Sequence, residues 1–356
     1  MPDIDKTKKV LVTGGSGYLA SWIIKMLLDK GVSVHATVRD PENRDKTAHL
    51  KAFDKEGRLT LFQADLLDMG SFKESMQGCD IVIHTASPFF ISGVKDPEKE
   101  LIKPAKIGTR NVLETAKQIS CVKRIVLTSS VAAIYGDNED IKKISSGILT
   151  ENDWNMTSSA DHMPYSFSKT EAEKEAWKIS KTQDQWDLVV INPGLIFGPS
   201  LTKREDSFSI KMMCEYGNGS YRTGVPNTSL GTADVRDVSK AHINAAFMLK
   251  AKGRHIIVSE TITMMEIADI IREKFPDKYP LPKMIVPKFV FWLIAPFLGF
   301  TRKYVSRNIG YPIEFDNSYS IDNLKISFRP MEETITDHFQ QIIDDGLLDL
   351  KNLKKV

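Results

Sequence analysis

Only three cysteines, Cys79, Cys121 and Cys214, occur among 356 residues; they lie far apart and form no C-x-x-C pair. An odd, scattered set argues against a disulfide framework and a structural zinc site, so reduced, buried thiols are expected and no metal. An excess of charge is missing too: 48 basic residues stand against 46 acidic ones, for a formal charge of +2. With the two signs interspersed there is no stripe to track a phosphate backbone, which sets nucleic acid aside. The one conspicuous apolar run, Phe289 to Phe300, holds Trp292 and Pro296 and is shorter than the about 20 residues a bilayer crossing needs. It reads either as a buried helix or pocket lid, or as an interfacial patch for peripheral membrane contact or an opening for a hydrophobic substrate. The charged start, Met1-Pro-Asp-Ile-Asp-Lys, lacks the apolar stretch of a secretion signal, and a cytoplasmic location is expected. Internal repeats and low-complexity linkers are also lacking.

What is present is a regular alternation. Val10 to Thr13 is a short apolar strand, a glycine loop follows, and Ser21 to Leu28 carries Trp22, Ile23, Met26 and Leu27 at helical spacing. Strands are expected at Val32 to Val38, Leu59 to Gln63, Ile81 to His84, Arg124 to Thr128 and Leu188 to Asn192, with helices within Glu98 to Ile119 and after Tyr165. Such alternation calls for an α/β fold, a doubly wound parallel sheet whose ligands bind beyond the carboxyl ends of its strands. Past Pro193 the rhythm is lost. Residues 198–231 are rich in Gly, Ser, Thr and Asn, and 276–312 in Pro and aromatics. The chain therefore divides into a dinucleotide-binding domain, 1–195, and a smaller substrate domain, 196–356. The helix and strand between 232 and 258 are expected to return to the first.

In Thr13-Gly14-Gly15-Ser16-Gly17-Tyr18-Leu19-Ala20, the glycines let the backbone approach a pyrophosphate and aim the next helix's free amides at it. Thr13, Gly14, Ser16, Gly17, Tyr18 and Leu19 are thus cofactor candidates. After the second strand, where a carboxylate would suit NAD, stands Arg39, whose planar fork suits the extra phosphate of NADP. Arg44 and Lys46 add charge from the loop, partly offset by Asp40, Glu42 and Asp45, and NADPH is expected over NADH. Asp65 and Leu66 are placed to receive the adenine edge, Asp65 being equally suited to cap the next segment. Thr85, Ala86 and Ser87, and Pro193, stand after two further strands and line the nicotinamide side of the same crevice.

About 35 residues beyond Thr128-Ser129-Ser130 comes Tyr165-Ser-Phe-Ser-Lys169. Four residues apart on a helix, Tyr165 and Lys169 share a face, where the ammonium would favour the phenolate and make a usable proton donor. Tyr279 and Lys283 repeat the spacing, but Pro280 and Pro282 between them deny a helical turn. Ser166 to Trp177, rich in Lys, Glu and Ala, favours one.

On these segments, together with Ala36-Thr-Val-Arg-Asp-Pro41, His84-Thr-Ala-Ser-Pro88, Ile191-Asn-Pro193 and Asp234-Val-Arg-Asp-Val238, the chain resembles the extended short-chain dehydrogenase/reductases. Within them it is most similar to the dihydroflavonol reductases, cinnamoyl-CoA reductases and yeast methylglyoxal/aldehyde reductases. The resemblance implies a Rossmann-type domain binding NADPH, Ser130 bonding a substrate carbonyl, Tyr165 as general acid, and Lys169 tuning Tyr165 and holding the nicotinamide ribose. Two departures bear on substrate. Tyr135 replaces the asparagine of dihydroflavonol reductases, and His162-Met163-Pro164-Tyr165 replaces the Asn-Trp-Tyr-Cys signature of cinnamoyl-CoA reductases, so neither substrate is supported. The expected partner is a small carbonyl or alcohol, apolar if Phe89, Phe90, Tyr135 and Phe197 line its pocket, and the expected assembly a monomer or homodimer.

His84 and His35 read as core histidines, Asn111 as a packing or surface residue. A nucleotide-sugar epimerase or dehydratase is hinted at by Ile134-Tyr135-Gly136, but Arg39 counts against it, and Val131-Ala132 stands where dehydratases carry an acidic pair. A 3β-hydroxysteroid dehydrogenase-like enzyme is another alternative, and a dinucleotide-binding redox sensor without catalysis a further one; retention of Ser130, Tyr165 and Lys169 disfavours the sensor.

Overall fold

The computed structural model describes residues 4–87, 96–204 and 206–348. Phe89 and Phe90 lie outside them. The chain opens with β1 (Lys9–Thr13), α1 (Tyr18–Asp29), β2 (Ser33–Val38), α2 (Arg44–Phe53), β3 (Leu59–Gln63) and β4 (Ile81–His84). It continues through α3 (Lys103–Lys117), β5 (Arg124–Thr128), α4 (Pro164–Ser180) and β6 (Asp187–Pro193). Then come β7 (Leu195–Phe197), α5 (Phe208–Asn218), β8 (Val225–Pro226), β9 (Ser229–Asp234), α6 (Val235–Phe247) and β10 (Gly253–Ile257). The last segment holds β11 (Glu260–Thr263), α7 (Met264–Lys274), β12 (Ile285–Val286), α8 (Lys288–Ile294), α9 (Arg302–Asn308), α10 (Ser318–Leu324) and α11 (Met331–Asp344).

Seven strands form one sheet in the order β10-β6-β5-β4-β1-β2-β3, with every pairing in it parallel. The strands are almost wholly apolar because both faces are covered, and side chains alternate between them. Val10 and Val12 of β1 join Ile81 and Ile83 of β4 in a core with α1 and α6. Leu11 and Val82 point the other way, into a core with α3 and α4. The strand order reverses between β1 and β4, and the crevice beyond their carboxyl ends is where such sheets bind nucleotides.

After β6 the chain leaves this sheet for a second one of three strands, β11-β9-β7, returns through α6 and β10, and leaves again at β11. The crossing is tight: a Cβ on Gly194 would sit 2.3 Å from the carbonyl oxygen of Gly231. Around the second sheet, α5, α7 and α11 pack a separate core from Phe197, Ile210, Met213, Tyr216, Ile271 and Phe339. Phe197 is fully buried there, so it fills this core and lines no pocket, contrary to the expectation. The fully buried Asp234 ties the two parts together: it caps α6 at the Arg236 amide (2.6 Å), pairs with the Arg236 guanidinium and accepts from Thr334 of α11 at 2.9 Å.

Three further expectations are corrected. First, α1 begins at Tyr18, three residues before the expected start. Second, Arg44 and Lys46 lie in the first turn of α2, not in a loop, because the Asn43 side chain caps the Lys46 amide. Third, only Cys79 is a buried thiol; Cys121 and Cys214 are half-buried. No helix among the described residues is long and apolar enough to cross a membrane.

Candidate active site

The crevice is built first from backbone. Gly14 has a φ of +68°, and a Cβ there would meet the Cα and Cβ of Ala86 at 3.1 Å, so only glycine lets β1 turn this close to β4. Gly15 donates to the Thr37 carbonyl at 2.8 Å, which sews the loop to the end of β2. No side chain caps α1 at Gly17.

The candidate cofactor residues divide by what their side chains do. Thr13 is fully buried, paired with His84 Nδ1 at 2.8 Å and accepting from the Ala86 amide at 3.1 Å, while Thr85 donates to the Thr13 carbonyl at 2.5 Å. These bonds fix β1 against β4; they do not present Thr13 to a ligand. Leu19 packs into the sheet core, Pro193 is buried, and Tyr18 donates its hydroxyl to the Gly198 carbonyl at 2.6 Å. Arg39, Arg44 and Lys46 are exposed beyond β2, on the side of the glycine loop away from β4. Asp65 is exposed and caps its own turn at the Leu67 amide (2.8 Å), while Leu66 packs over Gly108 and its carbonyl accepts from the buried Asn111 at 2.7 Å. Ser16 accepts at its carbonyl from Arg204 at 3.3 Å.

On the other side of the switch point, Ser130 follows β5 and Tyr165 and Lys169 lie on α4. The helix starts at Tyr165's doorstep because Pro164 fits its first turn and Met163 takes the left-handed conformation, φ 58°, before it. Ser130 hydrogen-bonds the Tyr165 hydroxyl. Lys169 is buried, donates to Ser87 at 3.1 Å and lies 6.0 Å from the Tyr165 ring centroid. The chain thus brings Ser87, Ser130, and Tyr165 with Lys169 to one place from three separate segments.

The electrostatics differ from the expectation. Burial pushes the Tyr165 phenol above its ordinary range, and the Ser130 hydrogen bond pulls against it. Burial also draws the Lys169 amine down to about 8, with Glu173 opposing. Desolvation outweighs the expected acidification of the phenol by the ammonium. The phenol is left protonated at neutral pH, which is the form that donates. His84 is a satisfied core histidine, burial holding its pKa near about 3. His35 is one too, bonded to the Ser75 carbonyl at 2.8 Å.

Sequence reasoning missed the group behind these residues. Glu173, two turns beyond Tyr165, is 1% exposed and holds four partners. Ser129 donates to it at 2.5 Å, Asn192 at 2.8 Å, Arg254 at 2.6 Å and Trp177 at 3.2 Å. Asn192 also donates to the Ser130 carbonyl at 3.1 Å. Ser129 is therefore spent on Glu173, which leaves Ser130 as the serine facing Tyr165. A second buried group fixes the start of α4: His162 pairs with Asp137 at 2.8 Å, and Asp137 accepts from Asn308 of α9 at 2.8 Å and pairs with Arg307 at 3.3 Å. Tyr135 is partly buried, edge-on to Phe315 at 5.7 Å.

Comparison with known proteins agrees with this geometry. Residues 10–258 match the NAD dependent epimerase/dehydratase family. The cinnamoyl-CoA reductase CAD2 of Medicago truncatula is 41% identical over 271 residues, 75% of this chain and 81% of that protein. Among solved structures, the yeast methylglyoxal/isovaleraldehyde reductase Gre2 complexed with NADPH superposes with a TM-score of 0.78 at 28% identity, covering 98% of this chain and 100% of that one. Gre2 from Candida albicans, in complex with NADPH, gives 0.76 at 30% identity over 95% of this chain and 99% of its own.

Proposed function

The chain belongs to the NAD dependent epimerase/dehydratase family, standing among its extended short-chain reductases, and from that premise we propose that it reduces an aldehyde or ketone to an alcohol with NADPH. The observation that carries this is the meeting of a protonated Tyr165 phenol, Ser130 and Lys169 at the crevice formed by the glycine loop. The nucleotide fits what is there. Gly14 and Gly17 would give its pyrophosphate room, α1's amides would meet it, and Arg39, with Arg44 and Lys46 on the first turn of α2, would hold a 2′-phosphate. When bound, the nicotinamide supplies a hydride.

The protein's own part is to hold the carbonyl and deliver a proton. As the carbonyl carbon is reduced, negative charge grows on its oxygen, which needs a donor already in position. Ser130 orients that oxygen and Tyr165 protonates it, as general acid. Lys169 lies one helical turn beyond Tyr165, where its amine would hold the nicotinamide ribose and refavour the phenolate once the proton has left. In the alcohol-oxidising direction the same groups run in reverse.

A panel of aliphatic, aromatic and alicyclic carbonyls, followed by loss of NADPH absorbance, tests the proposal. Turnover of at least one class with NADPH supports it. Turnover of a nucleotide sugar with tightly held NAD, and of no carbonyl, would replace it with epimerase or dehydratase chemistry.

A further inference from the structure

We propose that the α8–α9 region is a wedge that seats the protein on an anionic lipid surface. The buried and exposed rows of α8 have the same chemistry. Phe291 and Ala295, four apart, face inward with Val305 of α9 and Ile309 just after it in a small core. On the opposite side of α8, Phe289 and Leu293 point outward at 70% and 54% exposed, and in the 3-10 turn that follows, Ala295–Leu298, Phe297 and Leu298 are 90% and 55% exposed. A helix face that stayed in water would carry polar residues at these positions. Packing does not account for the row, because its inward neighbours already fill the core beneath it.

Charge decides the occupant. From residue 278 to 313 there are six basic residues, Lys278, Lys283, Lys288, Arg302, Lys303 and Arg307, and no aspartate or glutamate. In a chain with nearly equal numbers of each sign, this stretch stands out for its one-sided charge. Lys283, Lys288, Arg302 and Lys303 are exposed, and Arg302 lies over the Trp292 ring at 4.3 Å, so cations border the apolar row. Aromatic and aliphatic side chains inside a basic rim match the interface of an anionic bilayer, where rings enter the acyl boundary and ammonium and guanidinium groups meet headgroup phosphates.

The wedge is also linked to the start of the Tyr165 helix. Arg307 and Asn308 of α9 reach Asp137, which holds His162 at the start of the Tyr165 helix. Phe300 stacks on Tyr304 at 5.3 Å, and Tyr304 is near enough to Tyr135 to add to the effect of burial in raising that phenol's pKa. A lipophilic carbonyl dissolved in the bilayer would meet the protein on this side. That last step rests on the carbonyl-reductase reading; the membrane contact itself does not.

The test is cosedimentation of the full chain with phosphatidylcholine vesicles, with and without phosphatidylserine, at low and high salt. Binding is expected to the phosphatidylserine vesicles, weakened by salt. Phe297→Asp should lower the partition coefficient about 10-fold or more while leaving NADPH binding unchanged, as should the pair Arg302→Glu and Lys303→Glu. A chain left in the supernatant with both vesicle types overturns the proposal, as does equal binding to both. A dimer in solution that Phe297→Asp converts to monomers, without vesicle binding, also overturns it and assigns the face to a second copy. Because sedimentation and NADPH binding are read without substrate, failure here leaves the reductase reading standing, and failure of the carbonyl panel leaves this one standing.

Discussion

Glu173→Gln tests how the site is held. Glu173 and Arg254 are 1% and 7% exposed and bonded at 2.6 Å. Removing one charge of a buried pair strands the other, at a cost of about 3–5 kcal/mol. Here the stranded guanidinium keeps bonds to the carbonyls of Glu151 at 2.9 Å, Asp153 at 2.5 Å and Ala133 at 3.2 Å, and its stack on Trp154 at 3.9 Å. Those partners put the cost at the lower end, about 3 kcal/mol. Urea unfolding, at unchanged slope, should show a loss of that size, and Arg254→Met combined with Glu173→Gln should recover part of it. A catalytic effect is expected beside the stability effect, because the anchor of Ser129 and Asn192 is weakened and Asn192 holds the Ser130 carbonyl. The turnover number should fall while the NADPH dissociation constant stays put. A stability loss under about 1 kcal/mol would refute the claim that this pair is a buried, mutually dependent hub.

Two further outcomes follow from other parts of the crevice. Arg39→Asp should lower the ratio of NADPH to NADH efficiency by roughly 30-fold or more, the equivalent of about 2 kcal/mol for a charge-assisted phosphate contact; an unchanged ratio in steady-state kinetics counts against the assignment. Burial draws the Lys169 amine down to about 8 from its ordinary 10.5, so between those values the unfolded chain binds a proton that the native protein has released. The destabilisation from this amine is therefore full below pH of about 8 and relieved as pH rises. The wild type should gain up to roughly 3 kcal/mol relative to Lys169→Met across that window, and a flat difference between their unfolding free energies would contradict the burial argument.

The sheet and its ligand end were legible because their signals are local. A strand buried on both faces is an apolar run, a pyrophosphate turn needs glycines, and Tyr165 and Lys169 are separated by one helical turn. Even α2 left a signal that was passed over, Asn43 as cap with Asp45 in the first turn. The hub around Glu173 left none, since Glu173 and Arg254 are 81 positions apart and each alone resembles a solvated surface charge. Phe197 was misplaced for a similar reason: an aromatic after a strand looks the same whether it lines a pocket or, as here, fills the core under α5 and α11. The direction of the Tyr165 shift was also out of reach, because spacing reveals the neighbouring amine but not how deeply the phenol is buried. The outward apolar row of α8 was equally undecided, since a short run of Phe, Leu and Ile reads the same buried or exposed.

The most direct measurement compares Tyr165→Phe with the wild type in two assays on the same preparations, NADPH consumption with the best carbonyl of the panel and NADPH binding by fluorescence titration. The expected result is a rate lower by about 100-fold or more with NADPH affinity within a few-fold of the wild type, since only the proton donor is removed. A variant that still consumes NADPH at about the wild-type rate, or one that loses nucleotide binding along with turnover, would show that Tyr165 is not the acid on which the proposed chemistry depends.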